Sequence, residues 1–204
     1  MSDPGRMVAR MPTITIEPAT SDRFEDVEHT FDNGGDGRGC QCQWWTLTST
    51  EFSNTPQEKL KGLLSDEIAA GPPPGLIAYV DGQAAGWVRI GPRTRQVRLA
   101  RTRLISGSTE EPLDDESVWA VSCFVIRKEH RGAGLSAQLL DAAVSFARER
   151  GARVIEGYPV DPDVGKKKPS NELFHGVIST FRNAGFREVA RPKPDRPVVA
   201  LHVA

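Results

Sequence analysis

The sequence has few cysteines, no long apolar run and almost no net charge, and each of these absences excludes a class of protein. There are three cysteines, an odd number, and Cys40 and Cys42 lie too close together for a comfortable disulfide with each other. We therefore expect all three to be reduced. No apolar stretch approaches the roughly 20 residues of a membrane span, and the N-terminus lacks the layout of a signal peptide. These features predict a soluble, cytoplasmic protein with no membrane partner.

The charges nearly cancel, with 26 lysines and arginines against 27 aspartates and glutamates. This balance removes the broad attraction on which non-specific nucleic-acid binding relies, so we expect no nucleic-acid partner. A chain of 204 residues fits one domain of ordinary size. Residues 1–12 have no periodic pattern and are interpreted as a disordered tail, which leaves residues 13–204 as the domain.

The order of the predicted elements is mixed α+β. A short strand at Thr13–Glu17 and a helix to about Phe31 come first, and a second helix begins near Pro56. Two strands joined by Asp81-Gly82 then form a hairpin, because Asp-Gly suits the positive φ angles of a tight turn. Later elements are a nearly continuous apolar strand at Val118–Ile126, a helix to Gly151, a parallel strand at 153–160, a helix at about Asn171–Asn183 and a closing pair of strands.

Between the hairpin and the apolar strand lies an irregular segment rich in arginine. It contains Arg93, Arg95, Arg98, Arg101 and Arg103. A solvent-exposed excursion is the favoured interpretation, and a site for an acidic group is the alternative.

A glycine-rich turn follows the apolar strand and leads into an amphipathic helix. Such a turn leaves backbone N–H groups pointing outward at the positive end of the helix dipole, which is the arrangement of a phosphate site. Gly132 and Gly134 would let an anion approach the backbone, and Arg131 adds a charge. A simple tight connection is the alternative. No lysine follows Gly134 as a Walker loop requires, and the unit comes too late in the chain for a dinucleotide fold.

The hexamer Arg131-Gly-Ala-Gly-Leu-Ser136 resembles the acetyl-CoA motif Arg/Gln-x-x-Gly-x-Gly/Ala of the GNAT acyltransferase superfamily. The hairpin, the apolar strand, the helix and Phe181-Arg-Asn-Ala-Gly-Phe186 come in the order of that superfamily. The resemblance implies a single GNAT-like α+β domain, with a mixed, mostly antiparallel sheet in which two central parallel strands splay apart and helices flank the sheet.

The same resemblance implies how acetyl-CoA, the cosubstrate, would bind. The pantetheine arm would pair with the strand edge formed by Cys123, Phe124 and Val125. The pyrophosphate would bind the backbone amides of the turn, which consists of Arg131, Gly132, Ala133, Gly134, Leu135 and Ser136. A bound amine would then attack the thioester directly.

Catalysis of this kind needs a base for the ammonium, donors for the oxyanion and an acid for the thiolate. The tyrosine that often supplies the acid in the superfamily falls on Phe181, which has no proton to give. Glu156 and Tyr158 share one side of their strand, so Glu156 is the candidate base and Tyr158 the candidate acid. The alternative is that Glu156 ends the strand in solvent and that Tyr158 only packs. His175 is a weaker candidate, and Cys123 is interpreted as a small apolar residue of a buried strand.

Cys40-Gln-Cys-Gln-Trp-Trp45 does not show the paired spacing of a zinc module, so no metal is expected. Trp44 and Trp45 are predicted to wall the acceptor pocket, with core packing as the alternative, and Asp161 is predicted to hold an amine. Lys166–Lys168 is interpreted as a solvated loop.

We therefore expect an N-acetyltransferase that acts on a primary amine of a small molecule. A catalytically silent CoA-binding sensor and a protein-modifying acetyltransferase are the alternatives. The assembly is left open, a homodimer included.

Overall fold

The computed structural model describes residues 11–33, 37–164 and 169–203. Within them seven strands form one mixed sheet in the spatial order β1-β2-β3-β4-β5-β7-β6, in which only β4 and β5 pair in parallel. The predicted α+β sheet is confirmed. The strands are β1 (Ile14–Pro18), β2 (Gly75–Val80), β3 (Gln83–Pro92), β4 (Val118–Ile126), β5 (Val154–Gly157), β6 (Arg187–Lys193) and β7 (Arg196–His202).

Helices cover both faces of this sheet. They are α1 (Phe24–Asp32), α2 (Gly37–Cys40), α3 (Ser49–Asn54), α4 (Gln57–Ala70), α5 (Val97–Arg101), α6 (Arg103–Ser106), α7 (Leu135–Glu149) and α8 (Ile178–Asn183). The predicted helices before Asn33, after Pro56 and after Gly134 are confirmed as α1, α4 and α7, whereas α2 and α3 were not predicted. In the described part of the chain no helix combines the length and apolar character needed to cross a bilayer. Most of the predicted tail, residues 1–10, lies outside the described residues, and so does the predicted loop at Lys166–Lys168.

Helix α7 packs on one face of the sheet because its apolar residues recur at helical spacing. Leu135, Leu139 and Ala143 are buried there in one cluster with residues of β2, β3, β4 and α8. Helices α1 and α4 cover the opposite face, where Phe31 and Leu64 pack with Trp87 of β3. The sheet is therefore buried on both sides at its centre.

Two predicted boundaries were wrong. The helix expected at Asn171–Asn183 is divided into a 3-10 turn at Ser170–His175 and the α-helix α8, because Gly176 between them has φ +79. The strand expected to reach residue 160 ends at Gly157, and Val160 bridges Val177 instead. The chain after β5 thus turns away from β4.

Strand β4 contains an irregularity at Ser122 that changes which side chains face which way. Arg89 is paired with Cys123 and Ile90 with Val121, so Ser122 is an extra residue in β4. Because of this bulge, Cys123 packs on the α1 and α4 face while Phe124 packs on the α7 face. Pairing of β4 with β5 ends at Val121 and Gly157. The two parallel strands therefore splay as predicted, and a cleft opens between them.

The ring of Phe181 fills the inner end of this divergence. It is 0% exposed and makes edge-to-face contacts with Phe124 and Phe186, at centroid distances of 6.1 and 5.1 Å. A Cβ on Gly157 would come within 2.3 Å of Phe181 Cε1, so only glycine lets the ring lie against this strand. A packing role therefore accounts for phenylalanine at this position.

We predict that Gly157→Ala lowers the free energy of unfolding by about 1–3 kcal/mol, because the added methyl group overlaps Phe181. The matched control is Gly62→Ala in α4, where no heavy atom lies within 4 Å of an added Cβ. That control should gain about 0.5–1 kcal/mol from higher helix propensity. Urea denaturation of both variants measures the difference, and equal stabilities would contradict the packing described for Phe181.

Candidate active site

The cleft between β4 and β5 has a volume of about 1620 Å³. Small-molecule pockets in proteins typically have roughly 300–1,000 Å³, so this cleft has room for a large ligand beside a second molecule. Its walls come from the chain between α2 and α3, from α5 and α6, from the end of β4, from the turn before α7, and from residues 173–180 and 192–198.

The turn before α7 has the geometry of an anion site. Gly132 and Gly134 have φ values of +80 and +74, and no heavy atom lies within 4 Å of a Cβ built on either. The first backbone hydrogen bond of the helix runs from the N–H of Ala137 to Gly134 O, at 3.1 Å. The N–H groups of Leu135 and Ser136 lie before this bond, so the helix itself offers them no acceptor. These features fit a pyrophosphate, which needs backbone donors and open space beside them.

Most of the predicted site residues line the cleft. Glu156, Asp161 and Ala133 are not part of its wall. Those that do line it are Trp44, Trp45, Cys123, Phe124, Val125, Arg131, Gly132, Gly134, Leu135, Ser136 and Tyr158.

Glu156 lies behind the wall instead of in the cleft. It is 1% exposed, and its carboxylate accepts hydrogen bonds from Arg93 Nη1 at 2.9 Å, from the Tyr158 hydroxyl at 2.8 Å and from the Thr109 hydroxyl. The expected position of Glu156 in the cleft is therefore corrected, because these donors hold the carboxylate inside the protein.

Tyr158 joins this buried cluster to the cleft, since its ring lines the cleft while its hydroxyl donates to Glu156. Burial raises the pKa of Tyr158 well above its usual value, and the nearby charge of Glu156 adds to the increase. The phenol is therefore neutral and keeps its proton at physiological pH.

Asp161 is also placed away from the cleft. Its carboxylate is buried and accepts a hydrogen bond from Arg191 Nη1 at 2.9 Å. The expectation that Asp161 holds an amine in the cleft is corrected, because the residue does not line the cleft and its carboxylate is ion-paired with Arg191.

The segment that contains the two predicted tryptophans is held against β3 and β4. Trp45 is 6% exposed and donates from Nε1 to Ser122 O at 3.2 Å, while Trp44 is 39% exposed. Trp44 also packs edge-to-face on Phe52 of α3, with ring centroids 5.1 Å apart. Phe52 lines the cleft and was not predicted, because α3 shows too short a pattern to be noticed in the sequence.

Cys42 and Cys123 form a buried pair in the wall of the cleft. Burial works against ionisation of Cys42, but its hydrogen bond with Cys123, the charge of Arg89 and the indole N–H of Trp87 lower its pKa to about 7. The hydrogen bond with Cys42, together with burial, raises the pKa of Cys123 well above the usual value. Within the described residues, no group of three or more His, Cys, Asp or Glu side chains is arranged to bind a metal.

The arginine-rich segment is not the solvent-exposed excursion that was favoured from the sequence. Arg93 and Arg98 are 1% and 6% exposed, and Arg98 lines the cleft. The sequence offered no periodic pattern that separates these two arginines from the exposed Arg95 and Arg101. Only the contacts made by the folded chain distinguish them.

His175 lines the cleft beside the aromatic wall. Its ring lies 3.9 Å from that of Phe174 and 5.5 Å from that of Trp45, between centroids. Its Nδ1 is buried and has no hydrogen-bond partner in the described part of the chain. Burial, with a smaller contribution from the charge of Arg196, lowers the pKa of His175 to about 3, so the ring is neutral at physiological pH.

Comparison with known families places the chain in a class of enzyme, one that transfers an acyl group. A sequence model described as the acetyltransferase (GNAT) family matches residues 42–167, which is more than half of the chain. The protein therefore belongs to the acetyltransferase (GNAT) family. At the level of the family this confirms the predicted acyltransferase and its cosubstrate, acetyl-CoA. No curated protein matches the sequence.

Solved structures are similar in fold at low sequence identity. An N-acetyltransferase from Staphylococcus aureus Mu50 is 14% identical with a TM-score of 0.55, and the alignment covers 94% of this chain and 99% of that one. PaiA N-acetyltransferase from Thermoplasma acidophilum, solved in complex with coenzyme A, is 12% identical (TM-score 0.55; 93% and 99% covered). Ribosomal-protein-alanine N-acetyltransferase from Brucella melitensis is 19% identical (TM-score 0.54; 92% and 99% covered). At these identities the likeness shows the shared fold alone.

We predict that His175 makes the protein less stable in mild acid. The unfolded chain binds a proton at a histidine pKa near 6.5, whereas the folded protein does so only near 3. Between these pH values the unfolded state binds more protons than the folded state. The free energy of unfolding therefore decreases as the pH is lowered, by on the order of 1 kcal/mol per pH unit. His175→Phe removes this loss while keeping a flat ring.

The measurement is the free energy of unfolding of both proteins from pH 8 to pH 4. The two curves should run parallel above pH 7 and separate below pH 6. Curves that stay parallel throughout would show that the His175 ring takes up a proton as readily in the folded state as in the unfolded state.

Proposed function

We propose that the protein transfers the acetyl group of acetyl-CoA directly to the primary amine of a small molecule. The observation that carries the proposal is the continuity of one cleft from the glycine turn at Gly132 and Gly134 to the aromatic wall at Trp44 and Trp45. A cosubstrate at one end and an acceptor at the other would share a single space from which much water is excluded.

Two groups of residues would hold acetyl-CoA. The backbone amides from Arg131 to Ser136 would bind its pyrophosphate, and the edge of β4 at Cys123–Val125, which β5 leaves unpaired, would bind its pantetheine arm. When bound, acetyl-CoA supplies a thioester that an amine can attack without a covalent enzyme intermediate. Lys128 and Arg131 line the same end of the cleft and would complement the phosphate charges.

Tyr158 is the proposed proton donor for the departing thiolate. As the neutral amine bonds to the acyl carbon and the C–S bond breaks, the phenol would give its proton to sulfur and regain one from the acylated nitrogen. Its raised pKa keeps the proton on the phenol, and its ring lies in the cleft wall. Glu156, predicted as the base, is proposed here to position Tyr158, because its carboxylate accepts the phenol's hydrogen bond and is itself held by Arg93. The chain has two tyrosines, and the other, Tyr79, bonds to Asp26 outside the cleft.

A catalytically silent CoA-binding module is the second candidate function. Phe181 favours it, because this position carries a tyrosine in the pattern that the sequence resembles, and here it has a fully buried ring without a proton to donate. A protein acceptor is the remaining alternative to a small molecule. The experiments below therefore measure cosubstrate binding and turnover separately.

We predict that Gly134→Val lowers the affinity for acetyl-CoA at least about tenfold, because the side chain would occupy the space in front of the unpaired amides. Gly82→Val is the matched control. Gly82 also has a positive φ, +82, and open space around it, but it lies in the β2–β3 hairpin away from the cleft.

Calorimetric titration with acetyl-CoA, with NADH and ATP as control ligands, measures both variants. Gly82→Val should lower the free energy of unfolding about as much as Gly134→Val does, and it should keep the wild-type affinity for acetyl-CoA. Unchanged affinity in Gly134→Val would rule out the turn as the pyrophosphate site.

We predict that Tyr158→Phe lowers kcat for thiol release about 100-fold, while the dissociation constant for acetyl-CoA stays the same, because the aromatic ring is kept and the hydroxyl that would give the proton is removed. Tyr79→Phe, the other tyrosine, should leave kcat unchanged. The assay measures thiol release from acetyl-CoA against a panel of small amines and a panel of peptides.

Full activity of Tyr158→Phe would remove the residue from the proposed mechanism. Acetyl-CoA binding by the wild type without turnover on any small amine or peptide would favour the silent module, and turnover on peptides alone would favour a protein acceptor.

A further inference from the structure

The charged residues that line the cleft are all positive. Among the described lining residues there are lysines and arginines but no aspartate or glutamate; the charged ones are Arg98, Arg101, Lys128, Arg131, Lys193 and Arg196. A cleft with charges of one sign concentrates the field and attracts ligands of the opposite sign. An acceptor that carries only positive charges, such as a diamine, would find no counter-charge here.

Three of these side chains already have a use or a partner. Lys128 and Arg131 lie at the glycine turn, where the proposed function places phosphate groups. Arg196 lies within 3.8 Å of Glu172 and 4.0 Å of Asp195, so carboxylates of the protein offset its charge. The side chains that remain are Arg98, which is buried, and Arg101 and Lys193, which are exposed.

Arg98 is buried beside Trp44, and no carboxylate of the described residues pairs with it. It donates from Nε to Leu47 O at 2.9 Å and from Nη1 to Ser49 Oγ at 3.3 Å, and both acceptors are neutral. Its Nη2 is buried and has no acceptor among the residues that the structure describes. A buried cation without a counter-charge is costly, and burial lowers the pKa of Arg98.

The other buried arginines of the described chain differ in this respect. Arg89 is ion-paired with Glu67, and Arg93 is ion-paired with Glu156 at 2.9 Å. The fold therefore supplies a carboxylate for each buried guanidinium except that of Arg98, which lines the cleft.

The guanidinium of Arg98 is held in place before any ligand binds. Its Cζ lies 3.8 Å from the ring centroid of Trp44 and 5.6 Å from that of Phe52, and both rings line the cleft. Its backbone N–H donates to Trp45 O at 3.0 Å, which ties α5 to the same wall. A group fixed in this way loses little freedom when it binds an anion.

We propose that Arg98 binds a carboxylate of the acceptor, so that the acceptor belongs to the class of amino acids, with an amine for acetylation and a carboxylate for recognition. The inference rests on the proposed function, because it names the acceptor for the same cleft. The carboxylate would supply the missing counter-charge to the guanidinium from the cleft, which Arg98 lines. The apolar part of the acceptor would lie on Trp44 and Phe52.

The test compares acceptors that differ only in this carboxylate. L-methionine, L-phenylalanine, L-leucine and 4-aminobutyrate are each assayed beside their primary amides in the thiol-release assay with acetyl-CoA. The wild type should prefer at least one acid over its amide in kcat/KM by about 10- to 100-fold, the range for a hydrogen bond between charged groups.

In Arg98→Gln this preference should fall to about one, and Arg98→Lys, which keeps the charge but loses the planar fork, should retain part of it. Arg95→Gln is the matched control, because Arg95 is exposed in the same segment and lies outside the cleft wall. A purely structural role for Arg98 would lower the rates with acid and amide equally and leave their ratio unchanged. That result, or a wild type that prefers amides, would overturn the inference.

Failure of the proposed function is recognised separately. If acetyl-CoA binds but no acid or amide is acetylated, the transfer to a small amine is excluded, and the same pairs are then titrated calorimetrically into the CoA-saturated protein. Binding of an acid that is lost in Arg98→Gln and kept in Arg95→Gln would support the carboxylate site. Equal binding of acid and amide, or no binding of the acid, would exclude it.

Discussion

The end of pairing between β4 and β5, after Val121 and Gly157, is the constraint on which the rest of the structure depends. Two parallel strands that separate leave backbone groups without partners and an open space between two layers of helices. One of these backbone groups, Ser122 O, accepts a hydrogen bond from the indole N–H of Trp45. The ring of Phe181 fills part of the open space and packs against Phe124. The space that remains is the cleft, so the shape of the site follows from the point at which β4 and β5 stop pairing.

Buried charges follow a consistent arrangement around this cleft. Arg93, Glu156 and Tyr158 form a closed cluster behind one wall, in which every charged group has a partner of opposite sign or a hydroxyl donor. Such a cluster holds the Tyr158 ring in a fixed orientation at the surface of the cleft. Arg98 lies on another wall with neutral partners only. The two arginines therefore differ in whether the fold itself supplies a carboxylate for the guanidinium.

Much of the fold could be predicted because its signals are local. The hairpin at Asp81-Gly82, the helix after Gly134 and the phosphate-type turn each depend on a few neighbouring residues with a defined backbone preference. Other features depend on residues far apart in the chain. At the break, a Cβ on Gly176 would come within 2.9 Å of the ring of Phe181 and 3.0 Å of that of Phe124. The burial of Glu156 reflects donors from Arg93 and Thr109, 63 and 47 positions away.

The sequence by itself therefore determined the class of the fold, the family that it resembles and the turn that would bind a pyrophosphate, since short-range backbone chemistry encodes all three. Only the tertiary structure decided which candidate side chains reach the cleft. Glu156 and Asp161 are ion-paired with Arg93 and Arg191, whereas Tyr158 and Arg98 line the cleft. The physical reason is that a charged side chain takes the nearest partner available in three dimensions, and the linear order of residues does not show which partner that is.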